Sequence, residues 1–162
     1  MYKETVHKPA AEVTGFAIRT SNLKEGGPDG LIPSMWERYL QSGMQHRNDL
    51  KDPPFLYALY TEYENDVNGS YTVLLGHELE HPVTEEGLQT AFIPEAEYMV
   101  FTSSPGPMQQ VVPQLWQEIW SFFQSKETER AYTGDFELYD LRGFHPDQVV
   151  VNIYIAVKRK AE

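Results

Sequence analysis

The chain has 162 residues and no cysteine; it fits one domain burying roughly 70% of the surface its unfolded form exposes, and disulfides, a thiol nucleophile, a thiolate zinc site and a cysteine-held iron–sulfur cluster are excluded. Thirteen Lys and Arg against 24 Asp and Glu leave a net charge of −11, a field that repels phosphates and anionic membranes and so argues against direct nucleic-acid or membrane binding. A cationic small molecule or a basic protein partner suits such a field better, and no cofactor is expected.

Residues 1–12 carry neither the apolar run nor the small-residue cleavage site of a secretory leader. No apolar stretch is long enough to cross a bilayer, which predicts a soluble, cytoplasmic chain. Glu12–Asn22, rich in β-branched and apolar residues, predicts a strand, and the Gly, Pro and Asp of Lys24–Gly30 predict a turn. Ile32–Gly43 predicts a helix, with Pro33 near its start, Gly43 at its end, and Ile32, Met35, Trp36, Tyr39 and Leu40 on one stripe. Phe55–Tyr63 and Ser70–Leu75 follow as strands, joined by a segment ending in the hairpin signal Asn68-Gly69. Residues 81–87 form a polar connector. Ala96–Ser103 is a strand, Ser104–Pro107 a turn, and Met108–Lys126 a helix with Val112, Leu115, Trp116, Ile119, Trp120 and Phe123 on one face. Phe136–Arg142 and Val149–Val157 close the chain as strands.

The order β-α-β-β thus occurs twice, and residues repeat with it. Ile32-Pro33-Ser34-Met35-Trp36 aligns with Val112-Pro113-Gln114-Leu115-Trp116, Tyr57-Ala58-Leu59-Tyr60 with Phe136-Glu137-Leu138-Tyr139, and Thr20-Ser21 with Thr102-Ser103, at nearly constant offset. The expectation is a duplication, with repeat 1 over about 10–81 and repeat 2 over about 88–158. Six strands that alternate apolar and polar residues, with two striped helices, predict an α+β fold with pseudo-two-fold symmetry: an antiparallel sheet with one face covered by the helices. A ligand cleft is expected at the seam between the halves.

His77-Glu78-Leu79-Glu80-His81 satisfies the H-E-x-x-H pattern of zinc peptidases. That chemistry needs a helix to bring both imidazoles to one metal. Here the motif follows a strand-like run and precedes Pro82, which pushes His81 out of helical geometry. On a strand the imidazoles stand about 13 Å apart, too far to share an ion. No metal site is assigned.

The strand holding Phe136-Glu137-Leu138-Tyr139-Asp140 carries the more informative pattern. Alternation points Glu137 and Tyr139 to one face and Phe136, Leu138 and Asp140 to the other. In the last strand Asn152, Tyr154 and Ala156 share a face, and pairing of the two strands as a hairpin is expected to turn Glu137 and Tyr154 toward one cleft. The repeat equivalent of Glu137 is Ala58, an asymmetry that packing does not require. Ten Tyr, eight Phe and three Trp could supply ring faces beside that carboxylate, each adding about 0.5–2 kcal/mol toward an organic cation. Burial should raise the carboxyl's pKa in the empty state. Trp36 and Trp116 read chiefly as core; Trp120 faces the same way as Trp116.

On these residues the sequence resembles the GyrI-like effector-binding domain, the ligand module of AraC-type and MerR-type transcription regulators. The resemblance runs from AEYMVFTSSPGP through VPQLWQEIW to DFELYD and VNIYIAVK, and most specifically through the F-E-x-Y strand and the I-Y-I strand. It covers nearly the whole chain, 1–162, as one such domain. The family's acidic residue falls on Glu137 and the tyrosine of its last strand on Tyr154, whereas Ala156 stands where family members often have Pro. The resemblance implies a stand-alone binder of hydrophobic, cationic compounds, a multidrug-type ligand module, with Glu137 and Tyr154 as ligand-binding residues; Tyr139, Tyr60, Trp120 and Trp36 are expected to bind ligand beside them. No helix-turn-helix is expected ahead of the first strand, so regulation would pass through another chain. The alternative it allows is a hydrolase of strained small molecules, with Glu137 as general base and Tyr154 orienting the water. A third reading is an adaptor whose acidic face docks a basic partner.

Overall fold

The computed structural model describes residues 2–64, 69–81, 83–124 and 129–158. Eight strands form one antiparallel sheet: β1 (Tyr2–Lys8), β2 (Ala11–Ser21), β3 (Phe55–Thr61), β4 (Ser70–His77), β5 (Gln89–Ile93), β6 (Ala96–Thr102), β7 (Asp135–Asp140) and β8 (Asn152–Ala156). Their order across the sheet is β1-β6-β8-β7-β3-β4-β2-β5. Exchanging β1–β4 for β5–β8 reverses this order onto itself. The first strand of each half crosses over to pair with the other half, β1 on β6 and β5 on β2. At the centre β3 pairs with β7, and Ala58 stands directly opposite Glu137.

The sheet is curled into a half-barrel, and the chain is of α+β class. Helix α1 (Asn22–Glu25) is a single turn capped by the Ser21 hydroxyl, spanning the junction between the predicted strand Glu12–Asn22 and the predicted turn Lys24–Gly30. Helix α2 (Ile32–Ser42) stops at Gly43, whose φ of 77° is open to glycine at little cost. Helix α3 (Met108–Gln124) begins about one turn earlier relative to the sequence match, so Pro113 lies inside it; there it removes one main-chain donor. The two helices bury equivalent side chains, Met35 with Tyr39 and Leu115 with Ile119, and leave Trp36 and Trp116 half-buried.

Two corrections to the sequence reading concern the sheet. Among the described residues there are eight strands, not six; β1, an edge strand rich in charge, and the short β5 do not read as strands because neither has the apolar alternation of a covered strand. Both faces are packed, not one. On the helix side Met35, Tyr39, Leu56, Ala58, Leu115, Ile119, Tyr139, Ile153 and Ile155 form a core. On the reverse side Val13, Tyr57, Leu59, Leu74, Tyr98, Phe136 and Ala156 form a second. Asn68, Pro82 and the last residues assigned to the second helix, through Lys126, lie outside the described residues. Among the described residues no helix is long and apolar enough to cross a membrane.

Candidate functional site

The alternation of β7 sends Asp135, Glu137 and Tyr139 to the helix side at the middle of the sheet. Glu137 is only 2% exposed, and it is held by three donors from three elements. Its Oε2 accepts the Tyr60 hydroxyl of β3 at 2.6 Å and the Trp116 indole N–H of α3 at 2.8 Å. Its Oε1 accepts the Tyr139 hydroxyl at 2.5 Å. Among the described residues no Lys, Arg or His forms an ion pair with it. Burial pushes the Glu137 carboxyl above the usual carboxylate range, while the bonds from Tyr139, Tyr60 and Trp116 pull the other way without cancelling the shift. Burial, with the charge of Glu137 beside them, holds the Tyr60 and Tyr139 hydroxyls well above their ordinary value, so both stay donors.

Aromatic rings surround this carboxylate. Tyr60 meets Trp116 edge-on with centroids 5.2 Å apart, Trp36 of α2 meets Tyr139 at 5.5 Å, and Trp120 leans on Trp116 at 6.2 Å. Tyr71 adds a further ring against Tyr60 at 5.8 Å. Trp120, 36% exposed, forms the outer rim. The two helices therefore bring one tryptophan each to the central strand pair, and a third lies one turn further out.

Asp135, two residues before Glu137 on the same face, shows what a compensated carboxylate looks like here. Its Oδ2 accepts Arg130 at 2.7 Å and the Tyr63 hydroxyl at 2.5 Å, and its Oδ1 accepts the Ala156 main-chain N–H at 2.8 Å. The guanidinium in turn rests on the Tyr132 ring at 4.5 Å. Two buried acids, one bonded by Tyr63 and the other by Tyr60 and Tyr139, thus share one strand face, and among the described residues only Asp135 has a cation.

Of the residues expected at the site, Glu137, Tyr139, Tyr60, Trp36 and Trp120 lie together on this face. Tyr154 does not join them. The β7–β8 register sets Phe136 opposite Tyr154 and Glu137 opposite Ile153, so Tyr154 points to the reverse side. There it stacks on Phe136 at 4.6 Å and 12°. The expectation of a shared Glu137–Tyr154 cleft is corrected by that register. Trp116, read chiefly as core, touches the carboxylate directly; the available signal was that a half-buried indole N–H seeks an acceptor. The Arg130–Asp135 pair carried no sequence signal.

His77 of the H-E-x-x-H motif closes β4, a strand, with both ring nitrogens engaged. Nδ1–H donates to the Phe55 carbonyl at 2.9 Å, and Nε2 accepts the Tyr39 hydroxyl at 2.7 Å. Burial lowers its pKa, which keeps the ring neutral.

A family model of integron-associated effector-binding proteins matches residues 4–157. The chain belongs to this family. The match agrees with the GyrI-like resemblance in the sequence. This effector-binding protein is similar to YobU of Bacillus subtilis (strain 168), named as a candidate transcriptional regulator, with 32% identity over 98% of this chain and 99% of that one. It is also similar to an integron cassette protein of Vibrio cholerae, at 32% identity and a TM-score of 0.80 over 96% of this chain and 95% of that one. The structure of SAV2435 bound to tetraphenylphosphonium shares the fold, with a TM-score of 0.76 at 18% identity over 98% of this chain and 94% of that one.

Proposed function

We propose that this chain is a ligand module that binds hydrophobic organic cations over the Glu137 face and reports them to a transcription regulator. The observation that carries the reading is the contrast on β7. Asp135 has its own guanidinium, whereas Glu137 is equally buried, is ringed by Tyr60, Tyr139, Trp116 and Trp36, and has no cation among the described residues. A bound cation would fill the role that Arg130 fills next door. Ring faces and a low-dielectric carboxylate both favour a delocalised, weakly hydrated charge. The Trp116 indole covers the carboxylate and gives way as the ligand seats, while Trp120 and Trp36 pack against its apolar groups.

The tetraphenylphosphonium seen in the SAV2435 structure has this chemistry, a lipophilic cation with aromatic arms, and the overall negative charge favours its approach. We further read the palindromic strand order as the product of a duplication, with repeats of about 10–81 and 88–158, and the chain as a cytoplasmic partner of a regulator of the AraC type. A hydrolase acting through Glu137 and Tyr154 is not favoured, because the two side chains lie on opposite faces.

Titration with tetraphenylphosphonium, followed by tryptophan fluorescence, tests the reading. All three tryptophans of the chain are at the proposed site, so saturable quenching is expected. A panel of lipophilic cations that leaves the emission unchanged, with no binding by calorimetry, would refute it.

A further inference from the structure

The strand order is palindromic, and the β3–β7 register puts its centre between Ala58 and Glu137. Tyr60 lies two residues from that centre along β3 and Tyr139 two residues along β7, in opposite directions because the strands are antiparallel. Glu137 takes one of these matching hydroxyls on each oxygen. A single carboxylate therefore stands at the centre, and Ala58, with only a methyl group, leaves it the room. Helix α2 packs chiefly over β2 and β4, and α3 over β6, so the central strands floor a trough between the helices. Trp36 leans into it onto Tyr139, and Trp116 onto Tyr60. One turn further along the same helix faces come Leu40 and Trp120, 50% and 36% exposed. These two hold matching positions, one on each side of Glu137.

A lone exposed leucine is ordinary on a protein surface. Two large apolar side chains at matching positions, on either side of a buried acid with no cation among the described residues, are not. We infer that Leu40 is a ligand-selecting residue, and that with Trp120 it selects cations whose single charge is flanked by apolar arms on opposite sides. The inference rests on the reading of the Glu137 face as a cation site and names the shape which that site takes. One carboxylate at the centre matches one positive charge; a second charge would find Ala58 where its acid should be. An arm on one side covers Trp120 and Trp116, and the opposite arm covers Leu40 and Trp36, so both rims are withdrawn from water. The two walls are unequal, because the Trp120 indole offers a ring face that Leu40 lacks. A cation with one aryl arm settles on the tryptophan side and leaves Leu40 uncovered.

The test compares tetraphenylphosphonium, with aryl arms all round its charge, and naphthylmethyl-trimethylammonium, with one, by calorimetric titration of the full chain. Leu40→Ser changes a half-exposed helix position and is expected to keep the fold, as circular dichroism will show. Burying the open half of a leucine side chain predicts that it weakens tetraphenylphosphonium roughly fivefold more than the one-armed cation. Leu40→Trp makes the walls alike and should tighten tetraphenylphosphonium several-fold, whereas Trp120→Ser should weaken both cations. Equal changes for the two cations in L40S, or no change for either, would overturn the inference while leaving a cation site at Glu137 standing. If the native chain binds neither cation, the reading of the face falls and this inference with it.

Discussion

Replacing Glu137 by Gln removes the proposed counter-charge and little else. The side chain keeps its volume, its amide oxygen can still accept the Tyr60 hydroxyl and the Trp116 N–H, and its amide nitrogen can donate to the Tyr139 hydroxyl, which is free to turn. Fold and stability should therefore survive. A cation resting on the Tyr60 and Trp116 rings would lie roughly 5 Å from the carboxylate, and at an effective dielectric constant of about 20 their attraction is about 3 kcal/mol. Its loss corresponds to a roughly hundredfold weaker affinity. The assay is tryptophan quenching by tetraphenylphosphonium at mildly alkaline pH, beside neutral triphenylphosphine oxide. The cation should lose about two orders of magnitude and the neutral compound little. Equal losses for the two ligands would mean that Glu137 shapes the pocket without supplying charge, and the reasoning would fail.

Tyr139→Phe removes one donor from a buried carboxylate; it should cost about 1.5–3 kcal/mol with Glu137 ionised, measured by urea unfolding, and should push the carboxyl still higher. Arg130→Met leaves Asp135 buried without its cation, a loss of about 3–5 kcal/mol that a thermal melt will show. Gly76→Ala places a Cβ 2.1 Å from the Thr14 carbonyl oxygen, and Gly15 opposite it in the β2–β4 register is no roomier; circular dichroism should report a chain that fails to form this sheet.

How much of this was legible beforehand follows from what each pattern encodes. Both long helices were readable because Met35, Tyr39, Leu115 and Ile119 recur at helical spacing and face one core. The inner strands were readable because their alternation is set by burial. The edge strands were not: Glu4, His7 and Lys8 give β1 the polar look of a tail, and β5 has five residues. Alternation also correctly put Glu137 with Tyr139, and Asn152 with Tyr154. What it cannot give is which face of one strand aligns with which face of the next. A register moved by one residue exchanges the faces, and that step separated Tyr154 from Glu137. Trp116 and Arg130 reach their acids across elements far apart in sequence, so only the folded chain reveals them.

Glu137 also sets the sign of a pH effect. Its carboxyl is raised in the folded state, so the stability attached to its protonated form is complete below the ordinary carboxylate range and is lost as pH rises through the raised value. A cation that needs the ionised form should bind more tightly over that same interval and expel the proton. Calorimetric titration of tetraphenylphosphonium in buffers of different ionisation enthalpy measures this release directly. The account predicts proton release on binding to the native protein within that interval, and none for E137Q. Binding without proton release at any pH there, or equal release from E137Q, would contradict it.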